Sequence, residues 1–229
     1  MNRTFNVAAG FVDYARGPGR WAKLTPFNGQ ACRRQIFEAL RQLNFAAIIE
    51  TGTHVGTTAE YFAQTGLPVF SVEGNPRRYG FAKARLRRFK NLSLRLGDSR
   101  LQLHNILTGL GADNLQKPLF FYLDAHWKHG LPLAGELEII LALCAQPTIM
   151  IDDFQVADDP GYGFDDYGEG KVLARDYIEP FIVQNGLALF YPAASSADET
   201  GRKRGSVVLA MAGAKERVAS FPQLRLVNP

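Results

Sequence analysis

Five short apolar runs, at residues 46–49, 68–72, 92–96, 119–123 and 148–151, constrain this chain more than any other feature of its sequence. Each is strand-sized, and most lack the alternation expected of a strand with one wet face. Between them lie segments of helical length at 57–65, 76–89, 99–110 and 133–145. Strands buried on both faces and alternating with helices predict a parallel sheet covered by two helical layers. A further helix is expected over 30–43, where Ile36, Phe37, Leu40 and Leu43 recur at helical spacing, with Arg33, Arg34, Glu38 and Arg41 on its other faces.

Beyond Asp153 a polar loop over 158–170 leads into a helix at about 171–184 and two more strands, 187–191 and 206–212. The connection 193–205 has no apolar period and reads as a mobile loop closing a hairpin. The chain is therefore expected to be α/β, with a doubly wound, mostly parallel seven-stranded sheet. Residues 1–30, rich in Gly, Pro and aromatics, read as an irregular arm or lid; Trp21, Pro26, Phe27 and Asn28 are its candidates for covering a pocket. The remainder, 31–229, reads as one domain.

Composition narrows the function classes. A chain of 229 residues can bury a full core without staples, and 46% hydrophobic with 21% charged residues is ordinary for a globular protein. Cys32 and Cys144 are too few for a disulfide framework and match no zinc spacing. No segment reaches the roughly 18 apolar residues of a membrane span, and residues 1–20 lack the apolar core of a signal peptide, so a cytoplasmic location is expected. The formal charge of +4 is too small to imply nucleic acid. Residues 77–90 hold Arg77, Arg78, Lys83, Arg85, Arg87, Arg88 and Lys90, a stripe able to grip phosphates, but Phe81, Ala84 and Leu86 interrupt it and a solvated face is the expectation.

In an open parallel sheet the ligand lies beyond the carboxyl ends of the strands. The first run leads into Glu50-Thr51-Gly52-Thr53-His54-Val55-Gly56-Thr57-Thr58, whose two glycines allow backbone to approach a ligand closely. The second ends at Glu73, placed to accept both hydroxyls of a ribose, and the third at Gly97-Asp98-Ser99, placed to hold an adenine. Taken singly, each has a structural use as a turn glycine, a helix cap or a solvated acid. Placed at successive strand ends, they favour a nucleoside-bearing cofactor. The phosphate-loop pattern and the dinucleotide Gly-x-Gly-x-x-Gly are both missing.

On these residues the chain, over about 46–212, resembles the class I S-adenosylmethionine methyltransferases, a Rossmann-like fold. The resemblance implies S-adenosylmethionine as cofactor, held by Glu50, Gly52, Thr53, Gly56, Thr57, Glu73, Asp98, Ser99 and Asp124. Two further strand ends, Asp124-Ala125-His126 and Asp152-Asp153, collect carboxylates suited to Mg²⁺, Mn²⁺ or Ca²⁺, and burying them together without a cation would be costly. They resemble the metal-dependent O-methyltransferases of the macrocin and aminocoumarin sugar type, and more distantly the catechol type. That likeness implies Asp124, Asp152 and Asp153 as Mg²⁺ ligands. It also implies His126 as general base beside Asp124, because the sugar-type enzymes carry a catalytic acid at that offset; ligation and a neutral hydrogen-bonding role are the other uses open to it.

The expected acceptor is a small molecule with a hydroxyl, nucleic acid and membrane are not expected partners, and a homodimer is the commonest assembly for such enzymes. Two alternatives stay open: a metal-independent N- or O-methyltransferase acting on RNA, and a non-catalytic cofactor-binding protein. The Asp-Ala-His and Asp-Asp pieces also resemble cephalosporin hydroxylase-like sequences, which leaves the transferred group open.

Overall fold

The computed structural model describes residues 3–17, 19, 24–126 and 130–227. Its centre is an eight-stranded sheet of β1 (Ala47–Thr51), β2 (Val69–Glu73), β3 (Leu92–Leu96), β4 (Pro118–Leu123), β5 (Gln146–Asp152), β6 (Leu187–Pro192), β7 (Ser206–Met211) and β8 (Leu224–Leu226), in the order β3-β2-β1-β4-β5-β7-β6-β8. The first five strands are parallel, β7 runs antiparallel to both β5 and β6, and β8 pairs antiparallel with β6. The strand beyond the expected seven is β8, three residues long, too short to leave a pattern in sequence.

Successive residues of the apolar runs serve opposite layers, as the strand period of two requires. Ile49, Phe121, Leu123, Ile149 and Ile151 pack with Leu103 and Ile106 of α5 (Ser99–Leu110), Leu137 and Ile140 of α7 (Leu133–Leu143) and Ile178 of α8 (Arg175–Asn185). Ile48, Phe120, Tyr122 and Met150 join the other layer, with Ile36, Phe37 and Leu40 of α2 (Ala31–Leu40) and Phe62 of α3 (Thr57–Ala63). Phe27 lies at the centre of that second layer, its ring 5.5–5.8 Å from those of Phe37, Phe62 and Tyr122. It is a core residue rather than a pocket cover. Trp21 lies outside the described residues.

The amino-terminal segment departs from the irregular arm expected. Residues Arg3–Ala15 form α1, which crosses α4 (Pro76–Leu86) with backbones nearly touching: a Cβ on Gly10 would lie 2.0 Å from the Arg77 carbonyl oxygen, and one on Gly80 2.1 Å from that of Val7. The segment does carry a helical period of apolar residues; what the sequence does not disclose is the close crossing through glycines. The connection 193–205, expected to be mobile, is tied to α2: the Glu199 carboxylate accepts from the backbone N–H of Cys32 and Arg33, and the Thr200 hydroxyl from that of Ala31. It supplies the acidic cap that α2 lacks in its own sequence. The helices α6 (Ala112–Leu115) and α9 (Lys215–Ala219) are short connectors. No helix among the described residues is long and apolar enough to cross a membrane.

Candidate active site

A cavity of about 1190 Å³ opens beyond the carboxyl ends of β1 to β5, the position an open parallel sheet dictates. Its first half is built on the turn after β1. Gly52 has φ +90°, and a Cβ there would lie 2.0 Å from the Asp124 carbonyl oxygen, so this glycine is demanded by the approach of the β4 end. Gly56 has φ +81° and abuts Leu86 of α4, at 3.0 Å from a would-be Cβ; it does not line the cavity. Its role is helix packing, a correction to the expected ligand contact.

Glu73 folds back beneath the same turn. One carboxylate oxygen accepts from the His54 N–H at 2.6 Å and the other from the Asn75 N–H at 2.7 Å. Burial raises its pKa against those amide bonds. Glu50 is completely buried and also does not line the cavity: its carboxylate accepts from the Ser71 hydroxyl, which is in turn hydrogen-bonded to Thr53. It therefore supports the turn from below, and burial pushes its pKa up to about 7. Asp98 caps α5 and pairs with Arg100 at the rim, while Gly52, Thr53, Thr57, Glu73, Ser99 and Asp124 line the cavity with it.

The second half lies at the ends of β4 and β5, where the chain turns after Asp152 and separates the two adjacent acids. Asp152 turns into the layer of α2 and is fully buried: one oxygen faces Arg33 and accepts from the Asp153 N–H, the other accepts from the Tyr122 hydroxyl. It does not reach the cavity, which corrects its expected place among the metal ligands. Asp153, with φ +52°, points the other way, into the cavity. Its Oδ1 accepts from Arg204 Nε at 2.6 Å, and its Oδ2 lies 3.8 Å from His126 Nε2. That nitrogen is also 3.7 Å from Asp124 Oδ1.

Asp124, His126 and Asp153 thus bring three donor atoms within 4.8 Å of one another. His126 is only 6% exposed, and its Nε2 has no hydrogen-bond partner among the described residues. Burial, then the charges of Asp152 and Asp153, raise Asp124 well above the usual carboxylate range. At Asp153 burial works upward too, but the facing His126 and Arg204 outweigh it and hold the group well below that range.

Two arginines passed unnoticed in sequence complete the site. Arg33, expected on a solvent face of α2, is 1% exposed and donates to Asp152 and to the carbonyl oxygens of Arg204 and Gly205. The signal was present: positions 33, 36, 37 and 40 share one helical face, and an arginine on an apolar stripe is a buried charge awaiting a partner. Arg204 bridges Asp153 to Asp165 of the 158–170 loop, whose backbone N–H also bonds the Asp153 carbonyl at 2.9 Å. No pattern in 193–205 singled it out. Three of the seven basic residues of the 77–90 stripe pair with acids: Arg85 and Arg88 with Glu60, and Arg77 with Asp13.

No protein-family model matches the chain, and no curated protein matches its sequence. Solved structures do match in fold. An O-methyltransferase of Bacillus cereus in complex with SAH is 15% identical, with a TM-score of 0.55 over 88% of this chain and 90% of the other. The O-methyltransferase TomG of Streptomyces achromogenes, involved in tomaymycin synthesis and seen in complex with SAM, is 15% identical, with a TM-score of 0.53 over 78% of each chain. At such identity the likeness is one of architecture: the chain has the Rossmann-like fold seen in S-adenosylmethionine-dependent O-methyltransferases.

Proposed function

We propose that this chain is an S-adenosylmethionine-dependent methyltransferase acting on a hydroxyl of a small molecule with the help of a divalent cation. The observation that carries the reading is the pairing of two half-sites in one cavity. The glycine turn with Glu73 beneath it adjoins the cluster of Asp124, His126 and Asp153.

The cofactor fits the first half-site. Glu73 offers free lone pairs beside the turn, as two ribose hydroxyls require, and Ser99 and Asp98 lie at the next strand end. When bound, S-adenosylmethionine supplies a methyl group on a cationic sulfur, a good leaving group for displacement by oxygen. A cation fits the second half-site, because a buried imidazole nitrogen without a hydrogen-bond partner among the described residues faces two carboxylates. A divalent ion held there by Asp124, His126 and Asp153 would supply Lewis-acid polarisation of an acceptor hydroxyl, easing loss of its proton. His126 faces the acids, and the base role expected of it gives way to membership of that cluster.

The chain's own residues then position and enclose. Gly52 brings the β1 turn against the β4 end, so that the two half-sites share a wall. Arg204 holds Asp153 by one oxygen and leaves the other facing His126. Asp165 and Lys171 of the following loop border the cavity on the acceptor side, where a small molecule has to enter. The RNA-directed alternative draws less support, since Arg77, Arg85 and Arg88 already have acidic partners.

Calorimetric titration of the purified, chelator-treated chain with S-adenosylhomocysteine, beside Glu73→Ala, tests the reading. Binding that the substitution weakens is expected. An unsubstituted protein that binds no S-adenosylhomocysteine would overturn the reading, and binding without turnover on any hydroxyl acceptor would favour a non-catalytic relative.

A further inference from the structure

We infer that Nε2 of His126 is an inner ligand of the cation at this centre, and that the centre selects a divalent transition ion of the Mn²⁺, Fe²⁺, Co²⁺ or Zn²⁺ class over Mg²⁺ and Ca²⁺. The catalytic meaning of this inference rests on the proposed methyltransferase reading; the geometry stands by itself.

Nε2 lies 3.7 Å from Asp124 Oδ1 and 3.8 Å from Asp153 Oδ2. Neither distance is that of a hydrogen bond, in which nitrogen and oxygen close to about 2.7–3.2 Å. Donors bound about 2.0–2.2 Å from one ion stand roughly 3–4 Å apart, which is the spacing found from Nε2 to each carboxylate oxygen. The side chain of His126 is 2% exposed, so water does not complete its bonding from outside.

Asp152 is excluded as a further ligand. Asp152 spends both oxygens on Arg33, Tyr122 and the Asp153 amide, and Asp153 spends Oδ1 on Arg204. One oxygen of Asp153, one of Asp124 and one nitrogen therefore converge. Mg²⁺ and Ca²⁺ are hard ions that take oxygen ligands, whereas imidazole suits transition ions. Replacing one oxygen donor by a nitrogen in an otherwise acidic cluster tips selection toward the latter.

The test uses the full chain, stripped with chelator and loaded with Mn²⁺, in pulsed electron paramagnetic resonance, with S-adenosylhomocysteine titrated into the same sample. Modulation from a directly bound nitrogen is expected, and it should vanish in His126→Asp. Calorimetry should show Mn²⁺ and Zn²⁺ binding tighter than Mg²⁺, with the preference narrowing by roughly tenfold or more in His126→Asp. Nitrogen modulation in the unsubstituted protein needs no variant to fold, so a misfolded His126→Asp does not rescue the idea. Absence of nitrogen modulation, absence of metal binding, or an unchanged preference in a folded His126→Asp would overturn it. S-adenosylhomocysteine binding without nitrogen modulation would sink this inference and spare the methyltransferase reading; nitrogen modulation without S-adenosylhomocysteine binding would do the reverse.

Discussion

Arg33 and Asp152 form an ion pair in which both side chains are withdrawn from water, at 1% and 0% exposure. The pair joins α2 to the end of β5 directly behind Asp153. Burial opposes the charge on each partner and each charge favours the other; at Asp152 burial prevails and raises its pKa. Replacing Arg33 by Met leaves a buried carboxylate without its counter-ion and is expected to cost about 3–5 kcal/mol in urea unfolding. The double change Arg33→Met with Asp152→Asn should recover part of that loss. A single change costing under about 1 kcal/mol would show that the pair contributes little.

Glu50 predicts a pH dependence of stability. Its folded pKa of about 7 lies above the ordinary 4.5, so the folded chain holds an extra proton between those values. Its contribution is complete below about 4.5 and is lost as pH rises through 7. Unfolding free energies measured from pH 4.5 to 8 should therefore show a decline that Glu50→Gln removes, by about 2–3 kcal/mol. Parallel curves for the two proteins would contradict the buried, protonatable state.

Gly52 and Gly66 both have positive φ, +90° and +81°, but only Gly52 has backbone within reach of a Cβ. Gly66→Ala should cost about 1 kcal/mol, the strain of the left-handed region alone. Gly52→Ala meets the Asp124 carbonyl as well and should cost about 2–4 kcal/mol, with S-adenosylhomocysteine affinity falling in proportion to the displaced turn. Equal melting temperatures for the two variants would refute the distinction.

Neutralising Arg85 and Arg88 together, as Gln, removes their pairs with Glu60 on the far side of α4. Such partly exposed pairs contribute under about 1 kcal/mol, and cofactor affinity should not change. A salt-sensitive RNA affinity that the double substitution abolishes would revive the nucleic-acid alternative.

Much of the sheet was legible in sequence because β1, β2, β4 and β5 are buried on both faces and leave uninterrupted apolar runs. Thr51 and Asp152, the last residues of two of these strands, were missed only because polarity hides a strand end. Cofactor-side residues were legible as types at strand ends, yet their orientation was not: Glu50 and Gly56 support the turn from behind. Arg33 and Arg204 escaped because a buried arginine is defined by its partner, and its partners lie 119 and 51 residues away in sequence. The helix α1 escaped although its segment carries a helical apolar period, because the Gly, Pro and aromatic content of 1–30 as a whole read as irregular.

Asp152 and Asp153 are chemically identical neighbours, yet they answer to opposite sides of the sheet. A library randomised at both positions and sorted by protein abundance should tolerate change at 153 and punish it at 152. Sorted by metal capture, the same library should punish both, the first for want of a ligand and the second for want of a folded chain. Mutational tolerance across this dipeptide thus reports which acid faces the core and which the cavity, readable without any structure at all.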